Sequence, residues 1–416
     1  MDLALTLVGL SHRTAPLEVR ERYVVSPADL TACLAAITGI PGVQEAFVLS
    51  TCNRTEVLVV GEPGTDVAPA LRAHLFRNLE DEVYVWSGVQ ALIHVFRVAS
   101  GLDSMVVGES EVLGQMRRGF EAAQQARTLG RTLRPLLQQA LHVGKRVRTE
   151  TDVGQGTLSV ARVAVDVAAR VFGRFEGCRA LIVGAGETGL LVARHLVDRG
   201  LVNPTFASRT QERAREAAAE FGGRAFGLED LATLAGEADV VIACIDGTGV
   251  QLGPDTFDAR ALRTRDRPVL AIDLSVPRAI DRAIVKKKNV LLYDLDDLQQ
   301  VVQENRVGRG AAIEGSTEIL VAELHKFLAL RAYASFSPVI AAMRERFERV
   351  RDDVLDSVAG ASTDKRDIEL AHELSRKLLD VALDHMKEGA RTTSSEEALD
   401  HEYRRFLERL GAEDPP

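Results

Sequence analysis

The chain has 416 residues, 46% hydrophobic and 27% charged, and its 60 acidic against 51 basic side chains leave a net charge of −9. Those proportions belong to a globular protein, exclude disordered, collagen-like and disulfide-scaffold classes, and at this length suggest two to three domains. The cysteines Cys33, Cys52, Cys178 and Cys244 lie far apart with no C-x-x-C spacing, so zinc ribbons and thioredoxin-like sites are not expected and unpaired thiols fit a reducing compartment.

The opening MDLALTLVGLSHRTAP carries an acid where a signal peptide needs bases, and no apolar run reaches membrane length; the reading is cytoplasmic with no membrane association. Residues 1–155 mix strand-like runs at 3–10, 46–50 and 55–60 with amphipathic helices, an α+β pattern. Cys52, in AFVLSTCNRTEVLVV, falls between two of these runs and so on a loop or strand end. Thr51, Asn53 and Arg54 flank it with donors and a cation, conditions that favour a thiolate nucleophile, although an inert loop cysteine fits the same spacing. Cys244 lies in a buried-looking strand, and Cys33 and Cys178 read as small hydrophobes. His94 sits on a helix over 89–100, where a satisfied core histidine is the plainer reading. Residues 113–150 hold eight bases and two acids, either a footprint for a phosphate backbone or a solvated helical face. No histidine pair has metal-ligand spacing, so no metal is expected.

From Ala180 to Leu298 strands alternate with helices: ALIVG at 180–184, TFAS at 205–208, DVVIAC at 239–244, VLAIDL at 269–274 and NVLLYDL at 289–295. Such apolar strands belong to a mostly parallel sheet covered on both faces, spanning 156–305 as a Rossmann-like domain. Gly184-Ala185-Gly186-Glu187-Thr188-Gly189 follows the first strand and opens a helix to about residue 198. Gly184 suits the tight turn, Gly186 the approach of a pyrophosphate and Gly189 close helix–strand packing. At the end of the second strand, where an NAD site places an acid, stand Ser208-Arg209-Thr210. A guanidinium with two hydroxyls suits a 2′-phosphate, hence NADPH, unless Arg209 is solvated surface. Residues 306–416 read as helical: Ile313, Leu320, Leu324 and Phe327 mark a long amphipathic helix to about 334, halted at Ser337-Pro338. Ile368, Leu370, Leu374, Leu378 and Val381 give the tail an apolar face, for association with a second subunit or for folding back on the chain. Gly154, Gly156, Gly308 and Gly310 flank the nucleotide domain as plausible hinges.

Several runs together resemble the glutamyl-tRNA reductase family. They are VGLSHRTAP at 8–16, STCNRTE at 50–56, HVFRVASGLDSM at 94–105 continuing to Gly108-Glu109 and Gly114-Gln115, the GAGETG turn, YDLDDL at 293–298 and SPVI at 337–340. The resemblance implies an N-terminal catalytic and glutamyl-tRNA recognition domain, an NADPH domain, and a long spinal helix leading to a helical dimerisation domain in a V-shaped homodimer. It implies that Cys52 is the nucleophile and His94 an assisting histidine. It likewise implies that Thr51, Asn53, Arg54, Ser104, Glu109, Ser110, Glu111 and Gln115 hold the glutamyl group. Ser110-Glu111, Ser208 and Ala279 depart from residues usual in the family.

Hydride cannot usefully add to a resonance-stabilised carboxylate, so the acyl carbon must first be activated. The expected route is attack of the Cys52 thiolate on the ester of glutamyl-tRNA, then reduction of the thioester by NADPH to glutamate 1-semialdehyde, the first step of five-carbon tetrapyrrole synthesis. Arg54 is expected to fork the substrate's side-chain carboxylate, and His94 to serve the oxyanion or the leaving oxygen. A downstream aminotransferase partner suits the labile aldehyde. Two other readings are an NADP-linked thioester or aldehyde dehydrogenase on a small acyl substrate, and a non-catalytic NADP-binding dimeric sensor.

Overall fold

The computed structural model describes residues 4–105, 108, 111–151, 159–245, 252–257, 268–304, 310–335, 337–358, 365–393 and 405. The hinge candidates Gly154, Gly156 and Gly308 fall outside these residues. The chain divides into two compact units, Ala4–Ser316 and the residues from Thr317 onward.

The first unit opens with an antiparallel sheet. Its strands β1 (Leu5–Ser11), β2 (Val43–Ser50), β3 (Arg54–Gly61) and β4 (Tyr84–Ser87) lie in the order β2-β3-β1-β4. β4 has too few residues to show an alternating pattern and was not visible as a strand in the sequence. Between strands run α1 (Leu17–Arg20), α2 (Leu30–Thr38) and α3 (Ala68–Leu75), and after them α4 (Gly88–Ala99), α5 (Glu111–Gln125) and α6 (Leu133–Glu150). α4 is almost wholly buried from Ala91 to Ala99, so a helix carrying His94 and Arg97 forms the floor of the sheet.

After α7 (Val160–Phe172) comes a six-stranded sheet of β5 (Ala180–Val183), β6 (Thr205–Ala207), β7 (Arg224–Phe226), β8 (Val240–Ala243), β9 (Val269–Asp273) and β10 (Val290–Tyr293). Its order is β10-β9-β8-β5-β6-β7, and every pairing is parallel. This is the doubly wound order whose crevice opens at the carboxyl ends of the two central strands. β5, β8 and β9 are buried along their whole lengths, as apolar runs covered by helices on both faces must be. The short β7 escaped the sequence reading because Arg224 is exposed and the run is three residues. α8 (Glu187–Val197), α9 (Gln211–Phe221), α10 (Leu231–Glu237) and α11 (Leu295–Glu304) supply the crossovers and the return.

Within this unit the two sheets meet along α1 and the 3-10 turn after it. Leu17 N–H donates to Oδ2 of Asp296 at 2.8 Å and Arg20 Nη2 to Oδ1 of the same residue at 2.7 Å. Arg278 pairs with Glu18 at 2.9 Å and Glu21 at 3.0 Å, and Arg282 with Glu18 at 3.1 Å.

Three helices complete the chain: α12 (Gly310–Ser335), α13 (Ser337–Val358) and α14 (Lys365–Thr393). Leu320, Leu324 and Phe327 are buried on α12 as their spacing predicts, whereas the side chain of Ile313 is outside the described residues. On α14, Leu370, Leu374, Leu378 and Val381 are 50–68% exposed. Within a single chain, then, these four do not fold back onto a core.

Candidate active site

Residues 51–53 join β2 to β3, and the loop is folded by one threonine. Thr51 Oγ1 accepts from the N–H groups of Asn53 at 3.1 Å and Arg54 at 3.2 Å, a turn that a threonine hydroxyl makes readily with the backbone ahead of it. Thr51 N–H closes the hairpin on the Arg54 carbonyl, and His12 N–H donates to the Asn53 carbonyl at 2.8 Å. From the other side Val25 N–H donates to Ser50 Oγ at 2.9 Å. Thr51, Asn53 and Arg54 are buried, while Cys52 between them is half-buried. The buried carbonyl oxygen Oδ1 of Asn53 has no hydrogen-bond partner among the described residues, an acceptor held ready for a donor from outside.

Beneath the loop lies a buried ionic network. Arg54 Nη1 reaches Oε1 of Glu56 at 2.7 Å and Oδ2 of Asp103 at 3.1 Å, and its Nη2 donates to the Asp103 carbonyl. The same Glu56 oxygen receives the Tyr84 hydroxyl at 2.5 Å and faces His94 Nε2 at 2.8 Å. Gly9 makes this possible. It sits opposite Glu56 on β3 and opposite Tyr84 on β4, and a Cβ there would lie 2.8 Å from Glu56 Cγ. Burial alone would raise the Glu56 carboxyl, but the charges of His94 and Arg54 and the hydrogen bonds of His94 and Tyr84 hold it down at about 2. Burial likewise opposes Asp103, which Arg54 and Arg13 keep far below the usual carboxylate range. Tyr84 is pushed well above its ordinary value by burial and by the Glu56 charge.

These contacts change the parts expected of two residues. Arg54 was expected to fork the substrate carboxylate, yet both its amino groups are engaged by Glu56 and Asp103. Arg13, 25% exposed and paired through Nε with Asp103 at 3.1 Å, is a guanidinium of the same network with a face to solvent. His94 was expected at the reacting atoms, yet it is buried with Nε2 on Glu56, its ring 5.6 Å from that of Tyr84 and 6.3 Å from that of Trp86. Ser104 is buried beside Asp103. Glu111 and Gln115 lie half-buried in the first turns of α5, and Glu109 and Ser110 fall outside the described residues. Sequence reasoning missed Glu56 and Asp103 as members of the site. A two-residue period on β3 puts Arg54 and Glu56 on one face, which was a legible signal; Asp103 is 49 positions from Arg54 and left none.

The three glycines of the 184–189 turn differ in what surrounds them. Gly184 has φ +110°, and a Cβ there would lie 2.3 Å from the Cys244 carbonyl oxygen. A Cβ on Gly189 would lie 2.1 Å from the Gly184 carbonyl oxygen, so strand and helix touch there backbone to backbone. At Gly186 a Cβ would meet nothing within 4 Å among the described residues, and this open space lies at the N-cap of α8, where a pyrophosphate finds unpaired N–H groups. The residues fit a dinucleotide. Ala185 is buried within the turn, and Glu187 and Thr188 begin α8. Ser208 Oγ accepts from Thr210 N–H at 3.3 Å at the end of β6, and Arg209 between them is exposed. Cys244 lies just past β8, half-buried rather than inside the strand.

Arg117, Arg118, Arg127, Arg131 and Lys145 are exposed on α5, α6 and the turn between them. Arg146 is instead tied to Glu150 at 2.7 Å.

Comparison with known proteins finds three family models that match successive stretches of the chain. Residues 8–151 match the model for the glutamyl-tRNAGlu reductase N-terminal domain, 166–301 that for shikimate/quinate 5-dehydrogenase, and 316–411 that for the glutamyl-tRNAGlu reductase dimerisation domain. Curated relatives include a glutamyl-tRNA reductase of Rubrobacter xylanophilus, 41% identical over 84% of this chain and 82% of that one. Another, from Magnetococcus marinus, is 36% identical over 91% and 92%. Among solved structures, the glutamyl-tRNA reductase of Methanopyrus kandleri is 30% identical, covering 96% of this chain and 98% of its own, with a TM-score of 0.47. With a thiol loop, a dinucleotide turn and identities of this size over most of its length, the chain belongs to the glutamyl-tRNA reductase family of oxidoreductases.

Proposed function

We propose that this chain reduces glutamyl-tRNA to glutamate 1-semialdehyde, the first step of five-carbon tetrapyrrole biosynthesis, through a thioester on Cys52 with NADPH as reductant. The observation that carries the reading is the half-buried Cys52 at the tip of a loop whose other members are buried and hydrogen-bonded. The sulfur attacks the ester carbonyl carbon, a C–S bond forms, and the C–O bond to the terminal adenosine breaks, its oxygen taking a proton. Bound NADPH supplies the hydride that the acyl carbon then accepts. Collapse breaks the C–S bond and returns the thiol.

Asn53 Oδ1 offers an acceptor to the substrate ammonium, and Thr51, Ser104, Glu109, Ser110, Glu111 and Gln115 complete the glutamyl pocket. Arg54 and Arg13 give it positive potential, and His94 acts through Glu56. Ser208, Arg209 and Thr210 with no acid among them favour NADPH over NADH. The exposed bases of α5 and α6 suit a tRNA backbone. The division into 1–155, 156–305 and 306–416 assigns catalysis, cofactor and dimerisation in turn, with the exposed apolar side chains of α14 covered by a second copy in a cytoplasmic homodimer. The labile aldehyde suits direct transfer to an aminotransferase.

The test is incubation with glutamyl-tRNA, with NADPH, with NADH and with neither, trapping acyl-enzyme and assaying semialdehyde. Cys52→Ser is expected to lose both reduction and NADPH-independent deacylation, and its retention of full reductase activity rejects the reading. Binding that falls steeply with salt separates a tRNA substrate from a small acyl ester.

A further inference from the structure

One short segment touches both the thiol hairpin and the nucleotide-binding part. His12 N–H holds the Asn53 carbonyl and Val25 N–H holds Ser50 Oγ, so residues 12–25 are bonded at both ends to the hairpin that carries Cys52. In their middle they meet Arg278. Its Nε reaches Oε2 of Glu21 at 3.1 Å and its Nη2 reaches Oε1 at 3.0 Å, while its own N–H donates to Oε2 at 3.2 Å and its Nη1 to Glu18 at 2.9 Å. Asp296 takes Leu17 N–H and the Arg20 guanidinium beside it. A single surface ion pair contributes little, but a bidentate fork within a network fixes geometry as well as charge.

Arg278 stands on a loop that is tied in turn to the dinucleotide turn. The buried carboxylate of Asp273 folds this loop, accepting from the N–H groups of Ser275 at 3.0 Å and of Ala279 and Ile280 at 2.8 Å. Ser275 Oγ accepts from Ile245 N–H at 3.1 Å, and the Ile245 side chain and the Cys244 carbonyl are what a Cβ on Gly184 would strike. Leu17, Ala185 of the turn, Leu274 and Val276 belong to one hydrophobic cluster, and Cys52 packs against the same cluster.

We infer that Arg278 is a positioning residue for the reduction step: by clamping loop 274–280 to Glu21 and Glu18 it fixes the dinucleotide turn relative to Cys52, and so decides which exit a glutamyl thioester takes. Water attacking the acyl carbon releases glutamate, whereas hydride added to the same carbon releases the semialdehyde. Either way the C–S bond breaks and the sulfur leaves with a proton as the thiol. Only the second exit needs the nucleotide-binding part in register, since misplacement by about 1 Å can cost about a hundredfold. This rests on the proposed function.

The test is the ratio of semialdehyde to glutamate formed from glutamyl-tRNA by the full-length protein at saturating NADPH, beside deacylation without NADPH. Arg278→Gln is expected to lower the ratio about tenfold or more while NADPH-independent deacylation stays within about twofold of the unaltered protein. NADPH affinity, read by fluorescence titration, stays the same, because the clamp lies outside the dinucleotide turn. Glu21→Gln lowers the ratio in the same direction, and adding it to Arg278→Gln lowers it no further, since the contact is already gone. In the protein without NADPH, amide exchange over 17–23 and 274–282 quickens in Arg278→Gln and that of α4 does not. Loosened packing would instead depress deacylation and reduction together and leave the ratio unmoved. An unmoved ratio, unmoved exchange, a fall in ratio that follows weaker NADPH binding, or effects that multiply in the double variant overturns the inference. If Arg278→Gln does not fold, the ratio and exchange of Glu21→Gln decide. Absence of semialdehyde from the unaltered protein is the failure of the proposed function and takes the clamp with it, whereas an unmoved ratio in a protein that makes semialdehyde is the failure of the clamp alone.

Discussion

His94 Nε2 stands 2.8 Å from Oε1 of Glu56, an oxygen that also receives the Tyr84 hydroxyl and the Arg54 guanidinium. One buried carboxylate thus orients a histidine, a phenol and the arginine that ends the thiol loop. Removing its charge leaves Arg54 with Asp103 alone.

Glu56→Gln is therefore expected to lose about 3–5 kcal/mol of stability, the usual cost of breaking a buried pair from one side, and at least about tenfold in turnover as His94 loses its anchor. Tyr84→Phe removes only one hydrogen bond to a charged group and is expected to cost about 1.5–3 kcal/mol. Urea unfolding of both variants checks the order; equal stability of Glu56→Gln and the unaltered protein contradicts it.

Acid sensitivity should begin with His12. Its folded value of about 3 lies below the ordinary 6.5, so the unfolded chain takes up the proton first as pH falls. Stability from this group is complete above about pH 6.5 and is lost toward pH 3, by up to about 1.4 kcal/mol per pH unit. Glu56, held at about 2 against 4.5, adds a loss of the same sign below about pH 4.5. Asp273, pushed up to about 6 by burial, acts in the opposite sense between about pH 4 and 6. The readout is consequently the difference between His12→Asn and the unaltered protein: its unfolding free energy should show a shallower fall between pH 6.5 and 4.5, and parallel curves refute the assignment.

The nucleotide turn separates binding from folding. Gly186→Ala adds a methyl group to open space, so its melting curve should stay close to that of the unaltered protein while NADPH affinity, read by fluorescence titration, drops about tenfold or more. Gly189→Ala drives a Cβ to 2.1 Å from the Gly184 carbonyl oxygen and should lower the melting temperature itself. Loss of stability in Gly186→Ala would mean that the space is filled by the protein.

Local pattern was enough to place the dinucleotide turn, because strand, glycine spacing and helix are contiguous and each glycine answers to backbone within reach. The same holds for Cys52 at a hairpin tip, since two apolar runs bracket it, and for the apolar spacing on α14. Pairings between distant charges were another matter. Arg54 meets Asp103 across 49 positions and Arg20 meets Asp296 across 276, and a charged side chain reads the same in sequence whether it ends in water or in a buried pair. Only the folded chain, by bringing β3 against the end of α4 and α1 against α11, decided that Arg54 is held by internal carboxylates and that Arg20 is a buried cation on Asp296.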